Sequence, residues 1–230
     1  MFLHRQSSAT GALDMKLFTF VIIAVLLSGS ACNMTNLTGI RGSGNAKTET
    51  RNLSGFKGIK AGGAVKLEVA VQKDFGVTVE TDDNLLEYIT TEVSGDTLII
   101  GSKDRISPTL ISVKVSMPEL TGLDVSGATT AMVNGAKTDS LKLEASGASK
   151  VKIDGEVKTL EIDASGASGI DAENLLAENA QAEASGASSS IVNASNQVEA
   201  IASGASTVTY MGNPTNITQN SSGASTIKKR

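Results

Sequence analysis

The triplet Ser-Gly-Ala recurs at Ser126, Ser146, Ser165, Ser185, Ser203 and Ser222, with successive spacings of 20, 19, 20, 18 and 19 residues. A period that constant constrains the fold more than any other feature of the chain. Repeats of this length cannot bury an apolar face alone, so they stack into a solenoid in which each contacts only its neighbours. Aligned on the serine, the preceding residues alternate between apolar and polar. Leu141-Lys142-Leu143-Glu144-Ala145 and Leu160-Glu161-Ile162-Asp163-Ala164 are followed by Ala180-Gln181-Ala182-Glu183-Ala184 and Val198-Glu199-Ala200-Ile201-Ala202. That period of two marks a half-buried strand. A second alternating segment follows the triplet, as in Lys150-Val151-Lys152-Ile153 and Thr207-Val208-Thr209-Tyr210. It ends in turn residues: Asn134-Gly135, Asp154-Gly155 or Gly212-Asn213-Pro214.

Two strands and their corners per unit describe one rung of a single-stranded β-helix, with rungs stacked about 4.8 Å apart. The fold class is therefore all-β, with a β-solenoid over residues 121–230. The corner glycines Gly127, Gly147, Gly166, Gly186, Gly204 and Gly223 read as structural. Glycine accepts the positive φ of a sharp bend, and small neighbours let coils stack. A phosphate cradle would need a Lys-Ser/Thr pair after the glycines and a strand-loop-helix setting, and neither is present. The apolar content of 40% with only 3% aromatic residues suits a narrow interior of Val, Ile, Leu and Ala. Later rungs place Ala180, Ala182 and Ser190 at inward positions, so the core is expected to thin there.

Residues 49–120 carry longer strands, including Ala64-Val65-Lys66-Leu67-Glu68-Val69-Ala70-Val71 and Ile111-Ser112-Val113-Lys114-Val115. Residues 82–89 predict one short helix, capped by Asp82 or Asp83, and Val93-Ser94-Gly95-Asp96-Thr97 predicts a hairpin turn. This stretch reads as an elaborated N-terminal β cap of the same domain, since an open solenoid end invites edge association.

The run Phe56-Lys57-Gly58-Ile59, then Ala61-Gly62-Gly63-Ala64-Val65, then Gly95-Asp96-Thr97-Leu98-Ile99-Ile100, then serial Ser-Gly-Ala units, resembles the head GIN domain family. That family is labelled "putative auto-transporter adhesin" and is common among lipoproteins of Bacteroidetes. The likeness spans roughly residues 49–227. It implies a right-handed β-helix-like domain with no established catalytic residue set, and the adhesin label carries no more weight than an analogy of fold.

The amino terminus reads as an address. Met15-Lys16 opens a short positive region, Leu17 to Leu27 is apolar, and Gly29-Ser30-Ala31 precede Cys32, the single cysteine. Residues 15–31 form a lipoprotein-type signal peptide, and residues 1–14 read as an extension upstream of the natural start. Cys32 is the expected lipidation site in a lipobox-like setting, although Gly29 stands where Leu is usual. Residues 32–48, polar and glycine-rich, are expected to form a flexible tether. Asn33-Met34-Thr35-Asn36 lacks the acidic residues that mark surface-exported Bacteroidetes lipoproteins. A lipid-anchored outer-membrane protein of the cell envelope follows, with the periplasmic face favoured over the surface.

Two residues before the serine stand Asp124, Glu144, Asp163 and Glu183, with Ile201 and Asn220 completing the series. Stacked in register they form an acidic ladder. The ladder could recruit Ca²⁺, but a solvated face is the preferred reading, so no metal or other cofactor is assigned. The one His, His4, precedes the signal, which removes the usual general base from the mature chain. The net charge of −4 with no basic stripe excludes nucleic acid. The leading function is a non-catalytic binding or adhesion-like scaffold module. It would meet the membrane through its lipid anchor and bind a glycan or an envelope protein. The alternatives are a structural or regulatory envelope protein without an external ligand and, less favoured, a carbohydrate-active enzyme. The open final rung near Ile227 further suggests a homo-oligomer.

Overall fold

Each Ser-Gly-Ala triplet lies between two strands, and every one of those strands pairs in parallel with its counterpart in the next coil. The computed structural model describes residues 39–230. Their strands are β1 (Ile40–Arg41), β2 (Ala46–Arg51), β3 (Gly58–Ala61), β4 (Lys66–Val71), β5 (Gly76–Asp82), β6 (Ile89–Ser94), β7 (Thr97–Ser102), β8 (Ile106–Ser107) and β9 (Ser112–Met117). The stack continues with β10 (Gly122–Val125), β11 (Thr130–Ala145), β12 (Lys150–Ala164), β13 (Gly169–Ala184), β14 (Ser189–Ala202), β15 (Thr207–Met211), β16 (Asn216–Ser221) and β17 (Thr226–Lys229). This is the β-solenoid that the repeat predicts.

Strands leading into the corners form one face, the entry face, in the order β7, β3, β10, the C-terminal halves of β11 to β14, and β16. Strands leaving the corners form the exit face, in the order β9, β4, the N-terminal halves of β11 to β14, β15 and β17. Spatial order departs from chain order at one place: the coil of β3 and β4 lies between the coil of β7 and β9 and the coil that starts at β10. At that end antiparallel strands close both faces, with β6 on β7 and β5 on β9, and β2 outside β5.

The expected pair of short strands per coil requires correction. β11 to β14 run 14–16 residues without a break from one corner to the next. Asn134-Gly135 and Asp154-Gly155 do not end strands; they lie at shifts of register, that is, at bulges. The ladder resumes beyond them because Ala136, Val157, Leu175 and Ala194 are buried there and each segment finds a backbone partner in its neighbour. Gly155 has φ +136°, and a side chain would collide with the Ala136 carbonyl.

The segment 40–48 is likewise not tether. β1 pairs with β8, β2 pairs with β5, and the buried Asp82 carboxylate accepts hydrogen bonds from the Gly44 and Thr109 amides, at 2.7 and 2.8 Å. These bonds, led by the Thr109 amide, hold the Asp82 pKa below its ordinary value. Asp82 therefore does not cap the following 3₁₀ helix, Asp83–Tyr88. Asp83 instead accepts from the Asn84 amide and the Ser43 hydroxyl. Gly95, with φ +63°, makes the expected hairpin turn between β6 and β7.

The interior is one apolar cluster running through all the coils. On the entry face Leu141 and Leu143 stack on Leu160 and Ile162, then on Ala180 and Ala182, then on Val198 and Ala200. On the exit face Val151, Ile170, Ser190 and Val208 follow one another, and the Ser190 hydroxyl is buried without a partner. In the last coil the positions continuing the inward columns are Ile217, Gln219, Ser221, Ile227 and Lys229. Gln219 donates to the Tyr210 hydroxyl and Lys229 to the Asn213 side chain. Polar groups thus finish the core, as end repeats of solenoids require.

Candidate functional site

The corners come first, because they set the spacing of everything on the outer faces. Gly127, Gly147, Gly166, Gly186, Gly204 and Gly223 form one column with φ between +72° and +75°. A Cβ on Gly147 would lie 2.8 Å from the Gly127 carbonyl oxygen, and one on Gly166 would lie 2.9 Å from that of Gly147. The column extends to Gly63, whose carbonyl accepts from the Ala128 amide, although no serine marks that corner. The fourth corner residue has a role that the triplet conceals. The hydroxyls of Ser168, Ser188 and Ser206 donate to Ala145, Ala164 and Ala184 in the preceding coil, each at 2.9 Å. Those same carbonyls accept the backbone amides of Ser165, Ser185 and Ser203. One carbonyl per coil therefore accepts two bonds, and the serines are buried at 4% exposure or less. These hydroxyls are committed to stacking.

The carboxylates of Asp124, Glu144, Asp163 and Glu183 stand in consecutive register on the outside of the entry face. Lys60 precedes Asp124 in the column and pairs with it, while Lys142 bridges Glu144 and Glu161 at 3.0 and 3.1 Å. Both lysines have raised pKa values through these bonds. Asp163 stands between Glu144 and Glu183 in the column. Partial burial, then the charges of Glu183 and Glu144, raise its pKa. The two outward columns of this face hold six carboxylates against two lysines, a net of −4. Among the described residues, no group of three or more His, Cys, Asp or Glu side chains converges to hold a metal ion.

The exit face carries the opposite sign. Its first two outward columns hold Lys66, Lys114, Lys150, Lys152 and Lys228 against Glu68 and Asp171, a net of +3, and Asp154 follows in the next outward position of β12. At its middle lies a shallow furrow of about 380 Å³ between Met132, Lys150, Lys152, Gly169 and Ile191. Gly169 has no positive φ, and a Cβ there would meet nothing closer than 3.9 Å. The backbone does not require this glycine; what its missing side chain provides is the furrow. Sequence reading passes over this face because its lysines are spread through the period. Writing the outward positions of the post-corner strands as two columns is the signal that reveals it. Cys32, the expected lipidation site, and residues 15–31, the expected signal peptide, lie outside the described residues.

The family model described as "Putative auto-transporter adhesin, head GIN domain" matches residues 55–214, and the chain belongs to that family. Its fold is shared with a "putative adhesin" from Bacteroides fragilis NCTC 9343, at 22% identity and a TM-score of 0.71, over 84% of this chain and 100% of that one. A "putative lipid binding protein" from Parabacteroides distasonis ATCC 8503 aligns at 20% identity and a TM-score of 0.52, over 83% and 99% of the two chains. A "putative adhesin" from Parabacteroides merdae ATCC 43184 aligns at 18% identity and 0.54, over 83% and 98%. No curated protein matches the sequence.

Proposed function

We propose that this head GIN domain protein is a non-catalytic binding module of the cell envelope, lipid-anchored through Cys32, that presents a solenoid face to a glycan or protein partner. The observation that carries this reading is the pair of broad outer faces, each built of registered side-chain columns along the whole stack. Such a surface suits an extended ligand that touches many coils weakly. Absence of catalysis is supported by where the candidate groups sit. The recurring serines that are buried donate to backbone carbonyls, and the ladder carboxylates stand side by side on an open face rather than across a cleft. The relatives are described as adhesins or a lipid-binding protein, which agrees with binding.

Affinity capture from the native envelope, with the chain from residue 32 as bait, tests the proposal. Retention of a defined glycan or protein, lost on charge reversal at Asp163 and Glu183, is expected. Release of new reducing ends from a glycan panel would overturn the non-catalytic reading. Metabolic labelling with a fatty-acid analogue should mark the wild-type chain and not Cys32→Ser; equal labelling would overturn the anchor.

A further inference from the structure

We propose that the exit face docks on an anionic phospholipid bilayer, so that the anchored domain lies on the membrane with its acidic entry face turned outward. This rests on the anchored-module reading and adds an orientation to it.

Three observations converge. The first is the segregation of charge. A chain of net −4 would be repelled by an anionic surface if its charges were mixed, yet the two exit-face columns at the furrow carry +3 and the entry-face columns −4. The resulting dipole turns one face toward such a surface, since lysines near it are attracted individually. The second is the furrow. Met132 is 44% exposed, and with Ile191 and the methylene stems of Lys150 and Lys152 it makes an aliphatic strip flanked by ammonium groups. Lysines in that setting keep their heads at the phosphates while their stems cover apolar surface. The third is reach. The first described residue is Gly39, six residues lie between it and Cys32, and those seven Cα-to-Cα steps span at most about 25 Å. An anchor at Cys32 therefore keeps the cap end close to the bilayer, and the exposed Leu110, in the segment that enters β9, lies at that end.

An acidic polysaccharide would meet the same lysines. The bilayer fits better because the outward columns of the exit face contain no aromatic ring on which a sugar could stack.

The test uses the chain from residue 32 carrying Cys32→Ser, so that no acyl chain contributes. It is floated with vesicles of phosphatidylcholine alone or mixed with phosphatidylglycerol. Binding is expected only to the anionic vesicles, and it should fall as salt screens the charges. Lys150→Glu with Lys152→Glu should weaken it by roughly tenfold or more. Glu183→Lys, on the entry face, should leave it undiminished, and circular dichroism should show both variants folded. Equal binding to the two vesicle types, binding that survives the double reversal, or no vesicle binding would each overturn the proposal. So would binding of an acidic polysaccharide that displaces the protein from vesicles. Envelope capture is scored separately on the same chain: a captured partner without vesicle binding overturns this proposal alone, and vesicle binding without a partner overturns only the external-ligand reading.

Discussion

The coils around Leu143 and Ile162 and the coils around Ala182 and Ala200 have the same backbone with different fillings. In the first pair the inward entry-face positions are Leu141, Leu143, Leu160 and Ile162; in the second they are Ala180, Ala182, Val198 and Ala200. All are buried. Both pairs keep the corner bond to the coil behind: Ser149 donates to Val125 at 3.3 Å and Ser168 to Ala145 at 2.9 Å in the first, and Ser188 and Ser206 donate at 2.9 Å in the second. Stacking register is therefore independent of how much apolar mass each layer holds. The aliphatic coils add burial to a ladder that the alanine coils carry mostly on backbone and hydroxyl bonds.

The largest expected effect breaks the comparison directly. Ile162→Ala should cost about 2–5 kcal/mol, as truncation in a filled core does, whereas Ala182→Gly should cost only about 0.5–1 kcal/mol. Denaturant unfolding measures both, and equal costs would mean that the fillings do not matter. Next comes the corner. Gly147→Ala and Gly63→Ala both force an L side chain to positive φ, a penalty of about 1–2 kcal/mol. Only Gly147 adds overlap with the coil behind, since a Cβ at Gly63 meets nothing within 4 Å. A larger loss at Gly147 is expected, and parity would show that stacking does not demand the glycine. Ser168→Ala and Ser206→Ala sharpen the comparison: each should lose about 1 kcal/mol, and by the same amount in both regions. Ser190→Ala runs the other way. It removes a buried hydroxyl with no partner and should raise the melting temperature slightly.

The smallest effect is in pH. The raised pKa of Asp163 means that the folded chain binds its proton more readily than the unfolded one. Stability should therefore rise as pH falls through the raised value toward 3.8, the ordinary value. Asp163→Asn should abolish that component in melting curves recorded across the window. Asp82 contributes with the opposite sign: its depressed pKa gives stability that is lost on acidification, so Asp82→Asn should flatten the acid limb.

The solenoid was legible because Ser-Gly-Ala fixes the corner and alternation fixes which side chains face inward. The position of β3 and β4 was not, because Ala61-Gly62-Gly63-Ala64 makes the same bend without the serine, so no period extends into residues 49–120. In the sequence the fourth-position serines are simply small residues; that each hydroxyl meets a carbonyl of the previous coil depends on coil-to-coil distance, which a linear sequence does not contain. That residues 40–48 belong to the fold was hidden by composition. Gly42, Ser43 and Gly44 look like linker, yet they pack on Asp82, where a Cβ on Gly42 would strike its carboxylate. The acidic ladder stood out because its members hold one fixed offset from a conspicuous triplet, while the lysines opposite are offset from no landmark.

The coil of β3 and β4 is bonded on both sides, to β7 and β9 above and to β10 and β11 below. Tension on the amino terminus first strips β1 and β2, each held by one partner, and must then extract this coil from between two layers, breaking both ladders at once. Tension on the carboxy terminus meets a coil with a single neighbour and can peel the stack layer by layer. The molecule is thus mechanically polar: past β2 its amino-terminal half resists by two ladders at a time, and its carboxy-terminal half by one.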